Sequence, residues 1–312
     1  MKLPNAISIC EVGPRDGLQN ESKILTVDEK VELINLAIEA GYKTIEIGSL
    51  VHPKAIPTLA DTEEVFKKLS LENGVEYRVL VTNLKGVERA ASAGLRKIKL
   101  TVSASESHNL SNFNRTTSET IDQFGVCIER AKETNMEISA AISTAFGCPF
   151  EGYVSMAQID SVIKRFIALG IQEISLSDTT GMANPKEVFE KCEYVINNYP
   201  NIKWNLHFHN TRDMGLSNVL AAMNAGIVNF DASFSGIGGC PYAPGATGNL
   251  CSEDLVHMCE SMGISTGIDL DKAIKLAIRV SELLEHKTES YMLKAGKASD
   301  LIKERPTRQN NN

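Results

Sequence analysis

Residues 202–236 read IKWNLHFHNTRDMGLSNVLAAMNAGIVNFDASFSG. "IKWNLHFHN" is a strand pattern and "GLSNVLAAMNAG" a helix pattern, and "IVNFDASFSG" returns to strand. A strand, a helix and a second strand in so short a span build one repeat of an α/β fold. The question is how often the repeat recurs.

Toward the N-terminus it recurs six times. "AISICEV" is a strand, and "TVDEKVELINLAIEAG" carries Val31, Ile34 and Ile38 at helical spacing, with Thr26 as N-cap ahead of Asp28 and Glu29. "KTIEIGS" precedes a helix around "DTEEVFKKLS". "EYRVLVT" precedes the helical "KGVERAASAG". "RKIKLTVS" is followed by a longer excursion, 106–117, before the helix around "ETIDQFGVCIERAKE". "MEISAAISTAF" leads to "MAQIDSVIKRFIALG", and "EISLSDT" to a helix opened by Pro185. The eighth strand has its own helix, "SEDLVHMCESMG". Eight strand–helix units in order predict a (β/α)8 TIM barrel. "DLDKAIKLAIRVSELLEH" and "SYMLKAGK" then form a C-terminal helical extension. We expect one catalytic domain over 1–300 and a polar, disordered tail over 301–312.

Composition narrows the function. With 43% hydrophobic and 23% charged residues, the 312-residue chain is an ordinary globular protein. A formal net charge of −7 without a basic stripe argues against nucleic-acid binding. No apolar run reaches the roughly 18 residues of a membrane span. Seven cysteines without paired spacing suggest reduced thiols. Strand pattern begins almost at once, leaving no room for a leader, so a cytoplasmic protein is expected.

Chemistry in such barrels sits at the C-terminal ends of the strands. Strand one ends in Arg15, Asp16 and Gln19, strand two in Glu46 and Ser49, and strand four in Ser103 and Ser105. Strand six ends in Ser175 and Asp178, strand seven in "HFHN", and strand eight runs into "GIGGCPYAPGATGN". His207 and His209 share one face, while Leu206 and Phe208 face the helices. Two imidazoles one pleat apart either hold a metal or hydrogen-bond within the barrel without one. Asp16, from a strand adjacent to strand eight, can add a carboxylate and Asn249 an amide oxygen, which favours metal.

Arg15 beside Asp16 reads as an ion pair or as an anion-stabilising guanidinium next to the cation. Glu46, between Ile45 and Ile47, either orients Arg15 or forms an ordinary buried pair with it. Cys240 sits in a Gly-rich loop; a lone cysteine is usually inert, but one near a metal can transfer a proton. No phosphate-loop pattern accompanies those glycines. His257 and His286 are read as helix residues and His52 and His108 as loop residues, all four without chemistry.

"EVGPRDGLQNE", "LHFHNT" and "GGCPYAPGATGNLCSEDLV", with "PKAIPTLAD", "FGCPFEG" and "EISLSDTTG", resemble the 3-hydroxy-3-methylglutaryl-CoA lyase family. That family belongs to a metal-dependent TIM-barrel lyase and synthase superfamily, and the likeness spans about residues 7–270. "RDGLQNE" and "GGCPYA" are specific; H-x-H is shared more widely. The resemblance implies cleavage to acetyl-CoA and acetoacetate. It places a divalent cation, Mg²⁺ or Mn²⁺ ahead of Zn²⁺, on Asp16, His207, His209 and Asn249. Arg15 would stabilise the enolate, Cys240 and His207 would handle protons, and Glu46 would support Arg15. Gln19, Ser49, Ser175 and Asp178 would lie against an acyl-CoA. A homo-oligomer and a place in leucine breakdown complete the expectation.

The chain also departs from the family. It has His52 and Ala55 where Ser and Trp are usual, Asn210 where Asp is usual, a distinctive 106–117 segment, and no C-terminal cysteine of the animal type. These leave open a related 3-hydroxy-3-alkylglutaryl-CoA as substrate. Two rivals stand beside the lyase: an acetyl-CoA-dependent 2-oxoacid synthase of the same superfamily, and a non-catalytic barrel that binds or scaffolds.

Overall fold

A computed structural model of the chain describes residues 1–72, 74–239 and 248–300. Eight strands pair in sequence order: β1 (Ser8–Glu11), β2 (Thr44–Ser49), β3 (Glu76–Leu80), β4 (Lys97–Ser103), β5 (Glu137–Ser143), β6 (Glu173–Asp178), β7 (Lys203–Phe208) and β8 (Asn229–Ala232). All pairings are parallel, and β8 closes on β1 to complete the barrel. Helices α1 (Val27–Ala40), α2 (Thr62–Lys67) and α3 (Leu84–Ala93) follow the first three strands. A short α4 (Glu106–Phe113) precedes α5 (Thr117–Glu133). Then come α6 (Met156–Ala168), α7 (Pro185–Asn198), α8 (Gly215–Ala225) and α9 (Ser252–Ser261). The extension is α10 (Leu270–Leu284) and α11 (Tyr291–Ala295); α10 packs on α1, and Arg279 reaches Glu32 at 2.7 Å.

Local chemistry sets the ends. Thr26 caps α1 through a capping box with Glu29. Asn184 caps α7, whose first residue is Pro185. The 106–117 stretch, expected to be an excursion, instead forms α4, with Ser105 accepting from the His108 N–H. His108 is thus a helix residue, not a loop one.

The hydrophobic core lies between sheet and helices. Ile45, Ile98, Leu100, Ile142, Leu206 and Phe230 are fully buried there. The alternate residues point into the barrel, and that interior is charged. Lys99 on β4 meets Asp231 on β8 at 2.9 Å, a span possible only across the interior because these strands are far apart in the barrel order. Below it, Arg78 and Lys97 pair with Glu173 at 3.4 and 2.8 Å. Buried charges of both signs, each partnered, replace the aliphatic layers common in such barrels.

Candidate active site

The chain leaves β1 in a π-helical turn, Gly13–Gly17, in which the Asp16 N–H donates to Val12 O at 2.7 Å. Glu11 fixes that turn. Its Oε1 accepts from the N–H groups of Gly13 (2.8 Å) and Phe234 (2.9 Å), and its Oε2 from Ser252 Oγ (2.7 Å). One buried carboxylate therefore ties the turn to the segments after β8. Sequence reading missed Glu11, although an acid on the outward face of a buried strand was its signal.

The turn lays Arg15 and Asp16 over the barrel mouth. Arg15 Nε donates to Glu46 Oε1, and Arg15 Nη1 donates to Asp16 Oδ1. Asp16 Oδ2 stands 3.6 Å from both His207 Nε2 and His209 Nε2. The segment after β8 reaches back to β7: Leu250 N–H donates to Phe208 O at 3.0 Å and Asn210 N–H to Gly248 O at 3.1 Å. This pairing sets Asn249 beside His209, and its Nδ2 donates to Asp16 Oδ2 at 2.9 Å.

Electrostatics prepare these groups for a cation. Burial alone would raise the Asp16 carboxyl, yet Arg15 and the two imidazoles hold it well below the usual carboxylate range. Burial, then the neighbouring His207, lowers His209 to about 4, so its imidazole is neutral at physiological pH. A carboxylate and two imidazoles whose ligand atoms lie within 4.8 Å of one another are a donor set for one metal ion. Asn249 Oδ1 is buried and accepts from no donor among the described residues, an orphan acceptor that a cation would satisfy.

These groups open on a cavity of about 530 Å³. Arg15, Asp16, Gln19, His207 and His209 line it. Glu46 lies beneath, against Arg15. Cys240 falls outside the described residues. Three expected substrate contacts do not line it. Ser49 Oγ is turned to Leu80 O at 3.4 Å. Ser175 sits one pleat too deep, taking an N–H from Asn205 at 3.3 Å, while Ser177 above it reaches the cavity. Asp178 faces outward and accepts from the N–H groups of Met182 (2.7 Å) and Ala183 (3.1 Å), closing the turn after β6.

Other residues take their place. Thr101 and Ser143, with hydroxyls 3.0 Å apart, line the wall formed by β4 and β5. His108, bonded through Nδ1 to Ser103 Oγ, and His52 line it too, although neither was assigned chemistry. Lys99 forms part of the floor.

The HMGL-like family model matches residues 6–280. The chain belongs to the HMGL-like family. It is 40% identical over 302 residues to the (R)-citramalyl-CoA lyase of Chloroflexus aurantiacus, covering 93% of this chain and 95% of that protein. It is also 40% identical over 299 residues to the hydroxymethylglutaryl-CoA lyase of Bacillus subtilis, covering 96% and 100%. Among solved structures, an HMG-CoA lyase from Acinetobacter baumannii in complex with coenzyme A and 3-methylmalate superimposes with a TM-score of 0.92. The two share 44% identity over 96% of this chain and 97% of that one.

Proposed function

We propose that this chain is a hydroxymethylglutaryl-CoA lyase, cleaving 3-hydroxy-3-methylglutaryl-CoA to acetyl-CoA and acetoacetate. The observation that carries the reading is the meeting of Asp16, His207 and His209 beside Arg15 at one barrel mouth. Asp16, His207, His209 and Asn249 would hold a divalent cation, Mg²⁺ or Mn²⁺. When bound, it would polarise the C3 oxygen and lower the cost of its deprotonation.

The reaction removes the C3 hydroxyl proton, breaks the C2–C3 bond and leaves the electron pair on the acetyl thioester as an enolate. The family resemblance gives His207, which lines the cavity, a part in handling that proton. Arg15, clamped by Glu46 and Asp16, presents a fixed positive charge where the thioester oxygen becomes negative. Preorganisation matters because the clamp is paid for in folding, not in the reaction. A proton then returns to C2, for which Cys240 is the proposed donor. Gln19 lines the cavity and would contact the acyl-CoA. We place this chemistry in one catalytic domain, 1–300, in a cytoplasmic homo-oligomer serving leucine breakdown.

A second reading is favoured by the similarity to a citramalyl-CoA lyase and by the hydroxyls of Thr101, Ser143 and Ser177 along the cavity wall. A substrate with its carboxylate directly on C3 would break the same bond and release pyruvate. Incubating Mn²⁺-loaded protein with each thioester separates the readings. Acetoacetate from 3-hydroxy-3-methylglutaryl-CoA is expected. Pyruvate from (R)-citramalyl-CoA alone would install the second reading, and neither product would remove both.

A further inference from the structure

Arg15 and His207, the two arms of the proposed chemistry, rest on different buried carboxylates. Glu46 accepts from Arg15 Nε. Asp231 Oδ2 lies 3.3 Å from His207 Nδ1, and Asp231 Oδ1 accepts from Asn205 Nδ2 at 2.9 Å. One cation joins the two carboxylates: Lys99 Nζ is 2.9 Å from Asp231 Oδ2 and 3.2 Å from Glu46 Oε2. Lys99 comes from β4, Glu46 from β2 and Asp231 from β8, so the lysine bridges the interior rather than a strand edge. All three are 3% exposed or less. Lys99 nevertheless reaches the cavity, where neither carboxylate does.

We propose that Lys99 is a positioning residue for this site, the shared counter-ion that sets His207 through Asp231 and Arg15 through Glu46. The inference rests on the reading of His207 as a metal ligand. An ionised Asp231 accepts the Nδ1–H of His207 and so leaves the Nε2 lone pair facing Asp16. An ionised Glu46 fixes the plane of the Arg15 guanidinium. Without Lys99, the two carboxylates lose the cation they share, and the arms lose their common reference point. Asn205 still holds Asp231 by its other oxygen, so the loss is one of alignment and ligand strength, with the barrel retained.

The test measures Mn²⁺ affinity by calorimetry alongside kcat and KM, on protein shown to be folded by circular dichroism. Lys99→Met should weaken Mn²⁺ binding about 10- to 100-fold, the usual cost of losing an outer-shell partner. It should also lower kcat, and Lys99→Arg should recover most of both. Folded Lys99→Met with wild-type Mn²⁺ affinity would overturn the proposal. If that variant does not fold, the charge-balanced Lys99→Met/Asp231→Asn is compared with Asp231→Asn. Equal Mn²⁺ affinity is expected, since the lysine acts through Asp231; a further loss of about tenfold, the additive loss expected of independent sites, would overturn it. Wild-type protein that binds Mn²⁺ but yields no acetoacetate would instead refute the lyase reading and leave the linkage intact.

Discussion

Gly238 offers the sharpest structural test of the metal site. It lies at φ +108°, and a Cβ placed there would fall 2.4 Å from Asn249 Nδ2 and 2.7 Å from Asp16 O, where ordinary contact begins near 3.4 Å. Gly238→Ala must therefore push Asn249 or the Asp16 backbone by about 1 Å, the gap between 2.4 and 3.4 Å. Asn249 has little room, since its Nδ2 is pinned between Asp16 Oδ2 at 2.9 Å and Ile237 O at 3.0 Å. A shift of that size breaks a hydrogen bond to a charged carboxylate, at about 2 kcal/mol. The left-handed backbone adds about 1–2 kcal/mol for alanine. A total of about 3–4 kcal/mol lowers Tm by several degrees in a domain this large. Differential scanning fluorimetry would read the stability and Mn²⁺ titration the site, where affinity should fall at least about tenfold. Gly238→Ala with wild-type Tm and Mn²⁺ affinity would refute the placement of Asp16 and Asn249.

The other predictions are briefer. In metal-free protein, His209 contributes stability that is fully present above its unfolded pKa of 6.5 and lost as pH falls toward about 4. That difference amounts to about 3 kcal/mol. Urea unfolding from pH 7 to 4 should show wild type losing that much more than His209→Gln, and parallel curves would contradict it. Glu46→Gln removes the carboxylate between Arg15 and Lys99 and should cost about 3–5 kcal/mol in the same assay; a change under about 1 kcal/mol, the range of an exposed pair, would show that the pair is not held as described. Ser175→Ala should leave KM for the acyl-CoA within about twofold, since a contact removed below the cavity changes binding by only tenths of a kcal/mol. A tenfold rise would return Ser175 to the substrate site.

The barrel was readable because its strands carry buried aliphatic residues and its helices carry caps, such as Thr26 and Asn184, at the expected places. Helix α4 was not, because polar side chains hold it in place of an apolar stripe. The Asn109 amide takes the Ser103 N–H at 3.0 Å and donates to Arg115 O at 2.9 Å and Thr120 Oγ1 at 2.8 Å. His207 and His209 were readable from strand period, and Asp16 from the closure of β1 on β8. Lys99 and Asp231 were visible only as charges on alternating positions; nothing local says that β4 and β8 meet across the interior. Ser49, Ser175 and Asp178 fall off the cavity lining because a strand end marks the mouth only to within a residue. One pleat decides between cavity, floor and helix layer.

Manganese-edge anomalous diffraction from Mn²⁺-soaked crystals tests the central claim most directly. One peak should lie about 2.2 Å from an Asp16 carboxylate oxygen and from a ring nitrogen of His207 and of His209. A peak bound elsewhere, with these three side chains making no contact to it at saturating Mn²⁺, would contradict the account.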